Sequence, residues 1–132
     1  MTRILRTLLG LICGYGLMIV LITLVQETWF GGVGWHETPL AKLALAGFLT
    51  CVAAAVGAVA ATAIAWHTGR IAAAIMACLI VVETTALIVT GRTSGPLWFD
   101  AVAASSLIVA ILLGAELFMR YVKIPRTQTI GA

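Results

Sequence analysis

Long apolar runs at 7–25, 40–65, 71–89 and 97–119 take up almost all of this chain, and polar residues gather in the gaps between them. Each run is long enough to cross a hydrocarbon core of about 30 Å as a helix rising about 1.5 Å per residue. The pattern therefore predicts an all-α protein, a transmembrane four-helix bundle formed by residues 1–132 as one domain. Lipid carries no water to satisfy exposed backbone groups, so each run must close its own hydrogen bonds as a helix.

Composition agrees with a lipid solvent. Of 132 residues, 62% are hydrophobic and only 10% are charged, whereas a soluble domain carries about 25% charged residues. Such a shortage of charge excludes a soluble core, a disordered chain and a nucleic-acid binder. Cys13, Cys51 and Cys78 all fall within the runs. Buried in apolar surroundings they behave as small hydrophobes, so no disulfide, metal site or cofactor is expected. Arg3 and Arg6 ahead of an apolar run resemble a signal peptide. The run is too long for one and no small-residue cleavage site follows, so it is expected to remain as the first span.

The net charge of +3 comes from basic residues at the ends of the runs. Arg3, Arg6, Arg70, Arg120, Lys123 and Arg126 would share one side, and only Lys42 and Arg92 the other. The positive-inside rule then puts both termini in the cytoplasm of a bacterial inner membrane, in a multi-pass arrangement. The turn 66–70 is short, so the second and third spans should be antiparallel neighbours. Gly69 is expected to end a helix in the left-handed conformation, Thr38 to cap the second span, and Pro39 and Pro96 to occupy first turns. Trp29, Phe30, Trp35, Trp98 and Phe99 suit one headgroup zone, and Trp66 and Tyr121 the other.

Between spans, lipid offers no hydrophobic drive, so close approach of small residues matters. Gly10 and Gly14, the row Ala53, Gly57, Ala61 and Ala65, the row Gly69, Ala73 and Ala77, and the pair Ala110 and Gly114 all repeat every four residues. The second span is small-sided around most of its girth and should be the most enclosed.

Among polar groups, Glu83 stands out. It lies about two turns, roughly 11 Å, from the end of its run, where an ionisable group costs about 3 kcal/mol on insertion scales. It should face the bundle or a wet cavity, with Thr84 and Thr85 beside it. Either it binds a proton, cation or ligand, or it is a neutral carboxyl bonded to a neighbouring helix. Glu27, His36, Glu37, Arg92 and Asp100 are expected to cluster over the outer mouth, with a carboxylate–arginine pair locking the loops. His36 and Glu37 lack the spacing of a metalloprotease motif. Glu116 and Arg120 are four apart, acid before base, and should pair at the inner end.

The stretch 90–100, Thr-Gly-Arg-Thr-Ser-Gly-Pro-Leu-Trp-Phe-Asp, resembles a motif of small bacterial four-span membrane proteins of unknown function. Gln26 and Glu27 with the tryptophan–glycine loop, and Val82 to Thr85, are similar too. The resemblance implies four spans and no particular activity. Small multidrug-resistance transporters are similar in size, but their carboxylate sits in the first span. The leading functional expectation is a non-enzymatic accessory or scaffold subunit, in contact with membrane lipids and with a second copy or a partner membrane protein. Two alternatives stand beside it: a proton- or cation-coupled transporter using Glu83, and a lipid-binding protein or enzyme using the outer cluster. No nucleic-acid partner is expected.

Overall fold

The computed structural model describes residues 2–32, 36–93 and 95–122; Gly34, Trp35, Lys123 and Arg126 lie outside them. All regular structure among the described residues is helical, as the apolar runs require. Helix α1 (Thr2–Thr23) continues into a wider π-helical turn (Leu24–Trp29). Helix α2 (Leu40–Ala65) leads through a 3-10 turn (Trp66–Thr68) into α3 (Gly69–Val89), and α4 (Leu97–Tyr121) follows. Three helical stretches are long and apolar enough to cross a membrane: Thr2–Trp29, Leu40–Val89, which holds both α2 and α3, and Leu97–Tyr121. Large apolar side chains cover the outside, Phe48 and Val82 each 65% exposed. A soluble protein rarely shows so much apolar surface; this is the exterior of a membrane protein.

Three helix ends differ from expectation. At the start of α2 it is Pro39, not Thr38, that occupies the cap position, with φ −56° and ψ 143°. The Pro39 carbonyl accepts from Leu43 N at 3.0 Å. Pro96 stands in the same place before α4, so both prolines lie one residue ahead of the first turn, where their fixed φ suits extended backbone. Gly69 is right-handed, φ −55°, and opens α3; the positive φ of 47° falls on Trp66 instead. Gly69 is needed for space, since a Cβ there would lie 2.5 Å from Thr62 Cγ2. A left-handed helix end is found after the π-helical turn, at Gly31, and another at Gly91, each with φ 64°. At the latter Arg92 N donates to Leu87 O and Gly91 N to Ile88 O, both at 3.1 Å, the paired bonds of a Schellman cap.

Helix α2 packs against each of the other helices, while the backbones of α1 and α4 make no close approach. The α1–α2 seam is built on missing side chains. A Cβ on Gly10 would lie 2.6 Å from Ala61 O, and one on Gly14 would lie 2.5 Å from Ala61 Cβ. On the far side, a Cβ on Gly114 would lie 2.7 Å from Ala55 O, so α4 also approaches α2 backbone to backbone. Nine residues of α2 are buried, against three on α1; the small-sided helix is the most enclosed, as its composition demands. Met18, Thr62, Met76 and Ile111 are the largest fully buried side chains.

Burial is uneven along the helices. It ends at Met18 on α1 and at Ile80 on α3, and begins only at Ile111 on α4. The molecule is therefore tight at the end holding the Trp66–Thr68 turn (the turn end). It opens at the other end, where α3 stops and α4 starts (the loop end).

Candidate functional site

The buried stripe of α3 runs through Gly69, Ala72, Ala73, Met76, Ala77 and Ile80. Side chains three and four apart share a helix face, so Glu83 continues this stripe. By that level the helices have diverged, and Glu83 is exposed rather than enclosed. Glu83 thus faces α1 of the bundle but is not enclosed by it, because the small residues that hold α3 against its neighbours stop one turn earlier. Its Oε2 accepts a hydrogen bond of 2.7 Å from the hydroxyl of Tyr15 on α1. Thr85 donates to Val81 O of its own helix at 2.7 Å, and Thr84 is half-buried. Of the three grouped residues, Glu83 alone joins two helices through a side-chain bond.

The loop-end cluster divides in two. Arg92 and Asp100 line a cavity of about 600 Å³ framed by Gln26, the first turns of α2, Leu87 and the first turns of α4. Glu27 and Glu37 line a neighbouring hollow of about 480 Å³ with Lys42. His36 is exposed and lines neither. The expected carboxylate–Arg92 pair is absent, since both ion pairs among the described residues lie at the turn end. The two hollows share no lining residue, which keeps the two groups of charges apart. One oxygen of Asp100, Oδ2, is buried in the cavity region without a hydrogen-bond partner.

At the turn end the Glu116–Arg120 pair forms at 2.9 Å, and Arg70 of α3 joins it at 3.3 Å. The result is a two-helix clamp between α3 and α4. Thr7 and Thr68 share a hydroxyl–hydroxyl hydrogen bond nearby, tying α1 to the turn. These groups are arranged to fasten helix ends. Both arginines are exposed, and Arg70 also lines a shallow groove on α3.

Two participants escape a reading by sequence alone. Tyr15 carries a phenol inside an apolar run, and a buried hydroxyl usually finds a partner; that signal is present in the chain, but the partner's helix is not. Arg70 becomes the second cation on Glu116 only through the packing of α3 on α4. Comparison of the chain with known protein families, with characterised proteins and with solved structures gives no match.

Proposed function

We propose that this is a four-span protein of the bacterial inner membrane, with both ends in the cytoplasm, that serves as a non-enzymatic accessory subunit. It docks a helix of a partner membrane protein on α3. The observation that carries this reading is the exposed carboxyl of Glu83. It lies six residues before the end of α3 at Val89, about 9 Å along the axis, within the depth of hydrocarbon. A group at that depth costs about 3 kcal/mol against lipid, and the Tyr15 hydroxyl satisfies one of its oxygens. A neighbour that brings a cation or a donor to the other oxygen offsets that cost.

The chemistry of the partner follows from the charges in this chain. Arg3, Arg6, Lys42, Arg70, Arg92 and Arg120 all stand at or near helix ends. A second parallel copy would bring another Glu83 to the same depth and no cation. The partner is therefore a different membrane helix with a lysine or arginine in its outer half. A shallow, mostly apolar groove of about 410 Å³ lies on α3, lined by Arg70, Ile71, Ala74, Ile75, Cys78, Leu79 and Val82, and it stops one residue short of Glu83 in the sequence. Its small Ala74 and Cys78 are four apart, a spacing that admits a helix closely.

The test uses vesicles holding the full chain and a synthetic transmembrane leucine helix with a single lysine at the depth of Glu83. Energy transfer between labels should show association at least tenfold tighter than for the all-leucine helix, and Glu83→Gln should abolish the difference. Equal association of the two peptides, or a preference that survives Glu83→Gln, overturns the reading. So does Glu83-dependent pairing between two copies of this chain.

A further inference from the structure

The cavity at the loop end serves no step of the helix-docking reading and has a chemistry of its own. Its volume of about 600 Å³ lies within the range of roughly 300–1,000 Å³ usual for small-molecule sites. Its walls are mostly apolar, with Leu43, Ala46, Gly47 and Leu107 among them. Its polar groups include Gln26 and the pair Arg92 and Asp100 toward the loops, with Thr50 and Ser106 deeper in. The Thr50 and Ser106 hydroxyls donate to carbonyls of their own helices, Ala46 and Ala103. The unspent polarity therefore lies at the mouth. Arg92 forms no ion pair among the described residues, and Asp100 Oδ2 is buried without a donor. Buried polar atoms are nearly always hydrogen-bonded, and an orphan calls for a missing partner.

A second hollow, of about 590 Å³, lies on the outer flank of α2 and α4 and shares Cys51, Val102 and Ser106 with the cavity. The two meet along the α2–α4 seam, so an occupant of the cavity has an apolar way out to the bilayer. An apolar body, a lateral exit and a charged mouth describe the site of an amphiphile. From these features we infer that the cavity binds a membrane lipid whose headgroup carries both a phosphate and a hydrogen-bearing ammonium. The phosphate meets the Arg92 guanidinium, the ammonium donates to the Asp100 carboxylate once its buried Oδ2 rotates toward the cavity, and a tail follows the seam between α2 and α4. Arg92 and Asp100 both line the cavity and do not pair with each other, so each charge is open to one end of a dipolar group. A quaternary ammonium fits this mouth less well, because it has no N–H to give.

The experiment is native mass spectrometry of the full chain released from nanodiscs of equimolar phosphatidylethanolamine, phosphatidylcholine and phosphatidylglycerol. Phosphatidylethanolamine should be retained in about tenfold excess over each of the others. Asp100→Asn should remove its advantage over phosphatidylcholine, and Arg92→Gln should lower retention of all three. Gly47→Leu gives an independent arm. Gly47 lines the cavity, and a Cβ there meets nothing within 4 Å, so the larger side chain fills the space without disturbing α2. It should empty the site of every lipid while the circular dichroism stays unchanged. Equal retention of the three lipids, an ethanolamine preference that persists in Asp100→Asn, or full occupancy in Gly47→Leu overturns the inference. Displacement of the lipid by soluble phosphoethanolamine overturns the requirement for a tail.

Discussion

Glycine and alanine do the work here that leucine does in a soluble core. Gly14 sits so close to Ala61 and Gly57 that any side chain forces the backbones apart. Gly16, two residues on, has nothing within 4 Å of where a Cβ would stand. Gly14→Ala should therefore destabilise the protein by about 1–3 kcal/mol, as overpacking does, and Gly16→Ala should leave stability unchanged. Reversible unfolding by steric trapping in bicelles measures both. Gly69 offers a stricter case, because its obstacle is one methyl group of Thr62. Gly69→Ala should destabilise, and Thr62→Ser, which removes that methyl and keeps the hydroxyl bond to Ala58 O, should restore most of the loss. A left-handed conformation at residue 69 would instead make the alanine variant equally unstable in both backgrounds. The spacing of Gly10 and Gly14 makes the α1–α2 contact readable from sequence. The role of Gly69 is not readable, since a glycine near a turn looks the same whether it is needed for its φ or for its bare surface.

At the level of helices, runs of apolar residues locate the elements closely, because length and hydropathy are properties of the chain alone. The divergence of the helices toward the loop end is not such a property. It arises because α1, α3 and α4 each carry their small, closely packed residues in the half nearest the turn, and only the assembled contacts reveal what that does to Glu83. The Tyr15–Glu83 bond is the side-chain link across the open part of the α1–α3 seam. In a double-mutant cycle, Tyr15→Phe and Glu83→Gln should couple by about 0.6–1.7 kcal/mol, the range for interhelical hydrogen bonds in membranes. Additive effects of the two changes would mean that the bond does not form in the bilayer. By contrast, the Arg70–Glu116–Arg120 clamp is exposed at its arginines. Exposed pairs contribute little, so Arg70→Gln should alter stability only slightly.

For the whole molecule, the proposed orientation is open to direct measurement. In a background with Cys13, Cys51 and Cys78 replaced by alanine, His36→Cys should react with a membrane-impermeant maleimide added to intact spheroplasts. His67→Cys should react only after the membrane is opened. The reverse pattern would invert the protein and move Arg92, Asp100 and their cavity to the cytoplasmic face. The proposed orientation rests on the sequence itself, since the count of basic residues on each side needs no tertiary structure. The division of the loop-end charges between two hollows is not legible there, because it depends on how the helices pack.

The Trp66–Thr68 link is a single three-residue turn, and it governs how the chain enters a bilayer. No polar segment long enough to wait at the surface separates α2 from α3. In the proposed four-span arrangement neither helix has room to cross by itself and leave the other behind, so the two should go in together as a hairpin. A long hydrophilic insert at residue 67 would uncouple the two arms. Glycosylation or protease mapping of that insertion variant would then find α2 and α3 entering one at a time, in mixed orientations.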